Sequence, residues 1–395
     1  MRALAPLAAA GLAVALTAAC SGSAAAPATS TSTGARTTTG TPAAATSTSP
    51  ATTTTTTASG PTTATGSPSP TTAPSDPDVL TMAFAGDVHF EDYHAPLARD
   101  PQGLAELRST LGAADLSVVN LETAVTERGT KIGKEFHFRA PASALVTVQN
   151  AGVDAVSMAN NHGVDYGPVG LQDTLAAKKA SPIPVVGIGV DEAEAYAPAV
   201  LSAKGVKVAV FGASEVFEMT LARYSAGPGK AGIASAAPVT RLRQAVAAAH
   251  RRYDVVVVFL HWGLDYQKCP DNLSAETAQA LAEAGADVVV GGHSHRVNGA
   301  GWLGRSYVAY GLGNFVWWRS HEPDSRSGVL TLSLDVRRAK ARADDGHSLV
   351  RKAAWTPMLI GADGIPRRPG AADSARLTGL WKQANACTGL ESSPS

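Results

Sequence analysis

The sequence predicts an α/β protein in which layered, mixed β-sheets are flanked by helices in a single globular domain that follows a disordered linker. Short valine-rich runs alternate with segments whose apolar residues recur every three or four positions, as Leu104, Leu107 and Leu111 do. The runs 199–203 and 206–211 are separated only by Lys204-Gly205, which predicts a hairpin. The predicted sheet is therefore mixed rather than purely parallel.

The apolar runs define the predicted strands, and the helical periodicity defines the predicted helices. In chain order, the strands are 80–85, 116–119, 155–158, 184–187, 199–203, 206–211, 255–260, 288–290, 307–310 and 329–336. Residues 355–360 are a further edge-strand candidate. The helices are 103–111, 142–149, 169–179, 239–250 and 275–283. Strands that are apolar throughout are typical of sheets buried on both faces.

The front of the chain has the composition of a targeting segment and a tether. Arg2, an apolar stretch up to Leu16 and the tripeptide Ala18-Ala19-Cys20 are typical of a bacterial lipoprotein signal at residues 1–19, with Cys20 acylated. An ordinary secretory signal is the alternative. A transmembrane helix fits less well, because the stretch is shorter than the roughly 20 residues that span a bilayer. Residues 20–78, almost wholly Thr, Ser, Ala, Gly and Pro, predict the disordered linker.

These segments set the expected domain organisation and location. We expect the globular domain at residues 79–338, followed by a C-terminal extension at 339–395 that ends in a disordered tail. A lipid anchor would hold the domain at the extracellular face of the cell membrane, and an ordinary signal would release it as a secreted protein. The membrane is thus an expected partner through the anchor.

Charge and cysteine content narrow the class of partner and the compartment. The formal net charge is zero, so the chain lacks the basic footprint of nucleic-acid binding, and that class is excluded. If Cys20 is acylated, Cys269 and Cys387 remain as an even pair in an oxidising compartment, where a disulfide is permitted. Whether their Cα atoms approach closely enough does not follow from the sequence.

Polar side chains stand at the ends of several predicted strands. Because such ends collect at one rim of an α/β fold, we expect the following to lie together: Asp87, His89, Glu122, Asn161, His162, His261, His293 and His295. Imidazoles mixed with carboxylates and an amide suit Mn, Zn, Fe or Ni better than Mg or Ca. The set is larger than one ion needs, so it favours two divalent metal ions about 3.5–4 Å apart.

A family resemblance adds to this reading. The blocks that carry it are Phe84-Ala-Gly-Asp87-Val-His89, Asn120-Leu-Glu122, Asn160-Asn161-His162-Gly-Val-Asp165-Tyr-Gly167, His261-Trp-Gly-Leu-Asp265-Tyr266, Gly292-His293-Ser-His295 and Tyr310-Gly-Leu-Gly-Asn314-Phe315. In type and order they resemble the CapA family of bacterial capsule-synthesis proteins linked to poly-γ-glutamate, within the calcineurin-like metallophosphoesterase superfamily. The resemblance covers roughly residues 79–336. It implies the calcineurin-like fold and a role in capsule or poly-γ-glutamate biosynthesis or export.

The resemblance also implies a role for each residue of the set. Asp87, His89 and His295 would bind the first ion, Glu122 would bridge, and Asn161, His261 and His293 would bind the second. His162 would face the substrate, to protonate the leaving oxygen or to stabilise the transition state. The chain departs from the superfamily at Glu122, where an aspartate is usual. If Glu122 does not reach both ions, the site holds only one.

Several residues near the blocks have two readings. Asp165 and Tyr166 either form a turn that caps the next helix or contact substrate, and Asn314 is predicted to hydrogen-bond the backbone. Trp262 and Trp317-Trp318 either flank a substrate groove or cover the core. The cations Lys131, Lys134 and Arg139 would suit a polyanion such as poly-γ-glutamate, or a phosphoester.

The first hypothesis is an enzyme, a surface-tethered two-metal hydrolase. Its substrate would be a phosphoester or an anionic cell-envelope polymer, and the capsule-synthesis machinery is an expected partner. The second hypothesis is a polymer-binding or export lipoprotein with a non-catalytic metal site. The third is a secreted metallophosphatase unrelated to any capsule. The residue pattern defines the machinery better than the substrate.

Overall fold

The computed structural model describes residues 76–342 and 345–394. The predicted signal peptide, the predicted acylation site Cys20 and almost all of the linker lie outside the described residues. The last linker residues, however, already belong to the folded part. The carbonyl of Asp78 accepts a hydrogen bond from the Val336 amide, and its carboxylate pairs with Arg337. The folded part therefore begins slightly before the predicted boundary.

Strands and helices alternate along the described residues. The strands are β1 (Val79–Val88), β2 (Leu116–Leu121), β3 (Ala124–Val125), β4 (Arg139–Ala140), β5 (Ala155–Ser157), β6 (Val185–Val186), β7 (Ile188–Gly189), β8 (Ala199–Ala203), β9 (Val206–Ser214), β10 (Gly232–Ile233), β11 (Val255–Trp262), β12 (Val288–His293), β13 (Ala300–Leu303), β14 (Ser306–Ala309), β15 (Asn314–Val316), β16 (Arg326–Asp335), β17 (Val350–Ile360) and β18 (Pro366–Arg367). The helices are α1 (Arg108–Leu111), α2 (Ala144–Asn150), α3 (Gly167–Ala180), α4 (Glu192–Ala195), α5 (Met219–Tyr224), α6 (Thr240–His250), α7 (Asn272–Glu283), α8 (Val336–Ala341) and α9 (Ala371–Ala384).

Two large mixed sheets organise these elements. The first has the order β18-β17-β16-β1-β2-β5-β6, with β15 also paired to β1, and the second has the order β13-β14-β12-β11-β9-β8. In each sheet the central strands are parallel, as β1 and β2 or β11 and β12 are, while antiparallel strands extend the edge. The predicted hairpin is present as the antiparallel pair β8–β9. The mixed sheet expected from the sequence is confirmed.

The sheets stack face to face, with helices on their outer surfaces. Alternate residues of β1, such as Leu80, Met82 and Phe84, share one apolar cluster with Val208 of β9 and Val257 of β11. The intervening residues of β1 pack outward in a cluster that includes α2 and α3, and the outer face of the second sheet packs on α6 and α7. This alternation is the period of two expected of strands. The predicted class, layered sheets flanked by helices, is confirmed.

Local bounds differ from the sequence-based ones where they affect the site. The strands β1, β11 and β12 run on to include Asp87, His261 and His293. These side chains are therefore held within the hydrogen-bonded strands rather than in the loops after them. The helix predicted at 103–111 is shorter, because a 3-10 turn at Ala105–Leu107 precedes the single turn of α1.

The C-terminal extension continues the fold, which corrects one prediction. The strand expected at 355–360 is β17 (Val350–Ile360), and it is an edge strand over most of its length, because the two-residue β18 pairs only with its last two residues. The predicted disordered tail is ordered over its described residues. Helix α9 stacks Trp381 on Trp355 of β17, and Glu391 exchanges backbone hydrogen bonds with Trp302. Within the described residues, no helix combines the length and apolar character needed to cross a bilayer.

A disulfide also holds the end of the chain. It joins Cys269, in the loop between β11 and α7, to Cys387 just after α9, and the two Cα atoms are 5.7 Å apart. Its partners are separated by 118 residues of sequence. A cross-link that closes so long a loop removes much conformational entropy from the unfolded chain.

We therefore predict that the double variant Cys269→Ser/Cys387→Ser loses about 3–5 kcal/mol of unfolding free energy, measured by urea denaturation. The matched control is the unchanged chain in reducing agent, which should lose a similar amount, whereas reducing agent should not affect the variant. Equal stability of the variant and the oxidised unchanged chain would contradict the prediction.

Candidate metal centre

The carboxyl ends of strands from both sheets meet at one rim and place the predicted residues together. Asp87 lies at the end of β1, Glu122 directly follows β2, and His261 and His293 end β11 and β12. Asn161 and His162 occupy the turn after β5, and His295 lies two residues beyond β12. All these side chains are buried or nearly so, and Asp87 and Glu122 have no exposed surface.

The acidic and imidazole side chains form two groups with metal-ligand geometry. One group is Glu122, His261 and His293, and the other is Asp87, Glu122 and His295. Within each group the ligand atoms lie within 4.8 Å of one another. Glu122 belongs to both groups, so its carboxylate lies between them.

The two carboxylates are buried without a cation next to them. Burial, reinforced by the charge of Glu122, raises the pKa of Asp87 from 3.8 to about 7. Burial likewise raises the pKa of Glu122 well above its ordinary value, and Lys134 opposes this only in part. Both oxygens of Glu122 are buried with no hydrogen-bond partner. Buried charges in proteins are paired or coordinate metals, so this donor set fits divalent cations.

The histidines are held neutral, which is the state that ligates metal. Burial lowers the pKa of His261 to about 4 and also lowers the pKa of His293 and His295. The ring of His295 donates from Nδ1 to Oδ1 of Asn314 at 2.8 Å, which leaves its Nε2 with a free lone pair. Asn314 also donates a hydrogen bond from Nδ2 to the backbone carbonyl of Asp324, which confirms the predicted hydrogen bond to the backbone.

Asn161 is in direct contact with His261. Its Oδ1 lies 2.9 Å from Nε2 of His261, and that same Nε2 is 3.4 Å from Oε1 of Glu122. An amide oxygen, an imidazole nitrogen and a carboxylate oxygen therefore converge.

His89 lies outside both groups. Its Nδ1 accepts a hydrogen bond from the Glu91 amide at 3.1 Å, so the proton of the neutral ring is on Nε2, which is buried without a partner. The ring is instead packed among aromatic side chains, stacked on Phe138 with 4.5 Å between ring centroids. In this tautomer Nε2 of His89 carries the proton, as does Nε2 of His261, which donates to Oδ1 of Asn161. Either nitrogen would bind an ion only after losing that proton, so the tautomer does not distinguish His89 from His261.

His162 is oriented by a carboxylate from its own turn. Its Nδ1 is 2.6 Å from Oδ2 of Asp165, and its Nε2 is 3.8 Å from Oε1 of Glu122. Lys134 pairs with the other oxygen of Asp165 at 2.8 Å, and Phe138 stacks on the imidazole at 3.9 Å. Asp165 makes no side-chain cap on α3. Of its two readings, the structure therefore supports neither a cap nor a direct substrate contact, but the positioning of His162.

Sequence reasoning missed a buried amide network beneath the ligands. Asn120 donates from Nδ2 to Oδ1 of Asp87 at 2.8 Å, and the same Nδ2 is 3.2 Å from Nδ1 of His261. Asn160 in turn donates a hydrogen bond from Nδ2 to Oδ1 of Asn120 at 3.1 Å, and its Oδ1 accepts a hydrogen bond from the backbone amide of His162. Both asparagines stand inside the quoted blocks beside a ligand. That adjacency was the available signal.

The backbone after β12 is strained where it presents the histidines. His293 and His295 have φ angles of 87° and 52°, a region that non-glycine residues rarely adopt. The amide of His293 donates to Oδ2 of Asp87 at 2.9 Å. A Cβ at Gly292 would lie 2.2 Å from Oδ1 of Asp87, so only glycine allows this close approach. The strand end is thereby locked onto the first carboxylate.

A cleft of about 430 Å³ opens beside the two groups. Asn161, His162, His295 and Asn314 lie along it, together with aromatic side chains that include Trp317 and Trp318. Trp262, the other tryptophan considered for a groove, is buried and donates to the Tyr310 carbonyl, so it covers the core.

The predicted cationic cluster does not form a surface for a polyanion. Lys134 lines the cleft, but its ammonium group is bound to Asp165 and to the carbonyl of Asn161 at 2.6 Å. Arg139 lies over the ring of Tyr166, with 3.3 Å between the guanidinium carbon and the ring centroid. Lys131 is exposed and does not line the cleft. The nearness of these three residues in the sequence therefore does not translate into a shared binding surface.

Comparison with known proteins places this geometry in context. A family model described as bacterial capsule synthesis protein PGA_cap matches residues 81–317, a span that contains every proposed ligand and His162. The PGA biosynthesis protein CapA of Bacillus subtilis (strain 168) is 27% identical over 62% of this chain and 66% of its own length. The capsule biosynthesis protein CapA of Bacillus anthracis is 30% identical over 47% of this chain and 46% of its own length.

A third relative has a different name. A probable polyglutamine synthesis accessory protein of Mycobacterium tuberculosis (strain ATCC 25618 / H37Rv) is 30% identical over 54% of this chain and 58% of its own length. The chain thus spans between about half and just under two thirds of these relatives. Among solved structures, a 5'-nucleotidase from Candida albicans SC5314 superposes with a TM-score of 0.42 at 10% identity, over 77% of this chain and 57% of its own.

The orphaned carboxylate leads to a prediction for the metal-free protein. A raised folded-state pKa means that ionised Glu122 costs folding free energy once the pH exceeds its ordinary value of 4.5. After chelation, Glu122→Gln should therefore be more stable than the unchanged chain by about 1–3 kcal/mol at pH 8. The advantage should vanish below pH 4. Thermal or urea unfolding across this pH range measures it.

Addition of Mn²⁺ should reverse the order of stability, because the ion binds the carboxylate better than the amide. The exposed Glu276→Gln is the matched control and should show neither effect. A Glu122→Gln variant that is less stable than the unchanged chain at pH 8 in chelator would contradict the prediction.

Proposed function

We propose a function that starts from the family to which this chain belongs, the bacterial capsule synthesis protein family PGA_cap within the calcineurin-like metallophosphoesterase superfamily. The chain is a metal-dependent phosphoester hydrolase of a surface-polymer pathway. The observation that carries the proposal is the pair of buried ligand groups that share Glu122 beside an open cleft. Two groups with one common carboxylate suit two ions better than one.

The ligand assignment follows the two groups. Glu122, His261 and His293, with the amide oxygen of Asn161, would hold one ion, and Asp87, Glu122 and His295 would hold the other. His89 would join the first ion once its Nε2 has lost its proton, and the same condition applies to Nε2 of His261. Imidazole and carboxylate donors suit Mn, Zn, Fe or Ni. When bound, such ions act as Lewis acids that polarise a phosphoryl oxygen and lower the pKa of water.

His162 is the proposed catalytic residue of this chain. Burial and Lys134 lower its pKa, and Nδ1 donates to Asp165, so the neutral ring presents the Nε2 lone pair towards Glu122. An anionic phosphoester in the cleft would favour protonation of that ring, and Asp165 would stabilise the imidazolium. His162 would then hold a proton for the leaving oxygen. Asp165 acts as a positioning residue, since it touches only His162 and its own support.

The names of the relatives indicate a pathway for this chain. Two of them are named for capsule or PGA biosynthesis, and one as a probable polyglutamine synthesis accessory protein. We assign this chain an accessory role in the synthesis, export or attachment of such a polymer, in contact with the synthesis machinery. The signal-like segment ending at Cys20 supports a lipid-anchored place at the extracellular face of the membrane.

The two-ion assignment predicts a specific pattern of metal content. After loading with Mn²⁺ and removal of excess metal, the chain should retain two ions, counted by mass spectrometry. Glu122→Ala should lose both, because it removes the shared ligand, and His293→Ala should keep one. His347→Ala, a histidine outside the centre, is the matched control and should keep two. Equal metal content of Glu122→Ala and the unchanged chain would refute the sharing.

The catalytic assignment predicts a graded loss of turnover. His162→Ala should lower kcat for a generic aryl phosphoester by about 10²–10⁴-fold at unchanged metal content, because it removes the proton donor. Asp165→Asn should lower it by about 10–100-fold, since it keeps a hydrogen-bond acceptor for the ring but removes the charge that stabilises the imidazolium. Steady-state kinetics with parallel metal analysis measures both effects.

His321→Ala changes an exposed histidine that does not line the cleft, so it should leave kcat unchanged. If the protein retains its metal but hydrolyses none of a broad panel of phosphomonoesters and phosphodiesters, the hydrolase hypothesis is wrong. It would favour a non-catalytic polymer-binding role.

A further inference from the structure

We propose that the cleft beside the metal centre accepts a phosphoester whose phosphate is joined to a neutral ring, such as a sugar or an aryl group, and that it rejects extended polyanions. This inference rests on the proposed phosphoester hydrolase function and names its substrate class. Poly-γ-glutamate itself would then not be the molecule bound in this cleft. The argument comes from the side chains that line the cleft and from their charge partners.

Aromatic faces form a large part of the cleft lining. Phe136 and Tyr266 line it and expose 45% and 43% of their surface. Trp318 lines the cleft next to Phe136, with 6.3 Å between their ring centroids. Tyr266 lies beside His295, with a centroid distance of 5.8 Å. If the phosphate is bound at the metal centre, a ring attached to it would therefore extend into the cleft and contact these aromatic faces.

The cations of the cleft are already paired. The ammonium group of Lys134 is bound to Asp165, and the guanidinium group of Arg319 is bound to Asp324 at 3.0 Å and to the Tyr266 hydroxyl at 3.1 Å. These contacts fix both side chains as supports of the cleft. The charge of each cation is therefore already balanced by a carboxylate, which weakens its attraction for an incoming anion.

Acidic side chains line the same cleft. Glu135, Glu218 and Asp265 are among its lining residues. Glu218 accepts a hydrogen bond from Nδ2 of Asn161 at 3.2 Å, and Asp265 lies 3.6 Å from Nε2 of His293. The negative side chains thus stand close to the proposed ligands, where they would face the groups that flank a bound phosphate.

This distribution of charge discriminates between anions. Divalent ions bound among Asp87, Glu122 and the histidines would leave the floor of the cleft positive, which attracts one phosphate. A polymer with a carboxylate on every repeat would place further negative charges beside Glu135, Glu218 and Asp265, and juxtaposed like charges are repulsive. A neutral ring avoids that cost and gains stacking on Phe136, Trp318 or Tyr266. Selectivity then comes from attraction at the floor and repulsion at the rim.

The Tyr266 wall is held in place before a ligand arrives. The amide of Tyr266 donates to the Ser294 carbonyl at 2.8 Å, and its backbone has a φ of 63°, which the surrounding contacts must enforce. Three residues further on, Cys269 is joined to Cys387. A wall that is already ordered costs little entropy on binding. Loss of the aromatic side chain should therefore affect affinity for the ring directly.

Phosphonates test the inference because they bind without turnover. Titration calorimetry on the Mn²⁺-loaded full chain would compare methylphosphonate, phenylphosphonate, a glucosyl phosphonate and a decamer of γ-linked glutamate. We expect at least one ring-bearing phosphonate to bind about tenfold more tightly than methylphosphonate, a typical gain from stacking. The aryl and glycosyl arms identify which ring is preferred. The glutamate decamer should bind more weakly than methylphosphonate.

Variants connect the preference to the named side chains. Phe136→Ala and Tyr266→Ala should each reduce the preference for the ring severalfold while methylphosphonate binds as before. Phe217→Ala, which removes a phenylalanine that is 74% exposed but does not line the cleft, is the matched control and should keep the preference. Each variant is first checked for two bound ions and an unchanged melting temperature.

Three results would overturn the inference: equal binding of all phosphonates, an unchanged preference in both variants, or tightest binding of the glutamate decamer. These outcomes are separate from a failure of the proposed function. Absence of bound metal or of phosphoester hydrolysis removes the enzyme assignment, whereas the order of phosphonate affinities reports only on the cleft.

Discussion

The buried carboxylate of Glu122 is the constraint on which the rest of the site depends. It stands between two groups of ligands, fully buried, with neither oxygen hydrogen-bonded. Burying a bare charge costs several kcal/mol, so the carboxyl group either takes up a proton or requires a counter-charge. Lys134 lowers the pKa of Glu122, yet Lys134 is already paired with Asp165. A divalent cation would supply that counter-charge, and the neutral histidines on each side would supply further ligands.

A layer of amides and one carboxylate holds these ligands in their required states. Asn120 contacts both Asp87 and His261, Asn314 sets the tautomer of His295, and Asp165 turns His162 towards Glu122. None of the three amide or acid side chains need touch substrate. Outer partners of this kind determine which nitrogen of each ring is available, which is why a change at such a position affects chemistry without removing a ligand.

The cleft extends this logic from the reacting group to the rest of the substrate. Its floor would carry the positive charge of bound ions, its cations are committed to internal pairs, and its remaining charged lining residues are acidic. Attraction is thus concentrated where the phosphate reacts. On the proposal above, the substrate in this cleft is a small phosphoester rather than a polymer. The disulfide that joins the C-terminal segment to the loop after β11 supports one wall of this cleft.

The sequence by itself determined the main strands, the hairpin that makes the sheet mixed and the polar side chains that stand at the strand ends, because apolar runs with polar ends are local patterns. Tertiary structure decided how those residues are shared. In the folded chain Glu122 belongs to both ligand groups and His89 to neither. The carboxylate of Asp165 accepts a hydrogen bond from His162, and Cys269 forms a disulfide with Cys387. The physical reason is distance along the chain. The Asp87–His293 contact joins residues 206 positions apart, so it depends on how two sheets stack, and tautomers depend on neighbours from other strands.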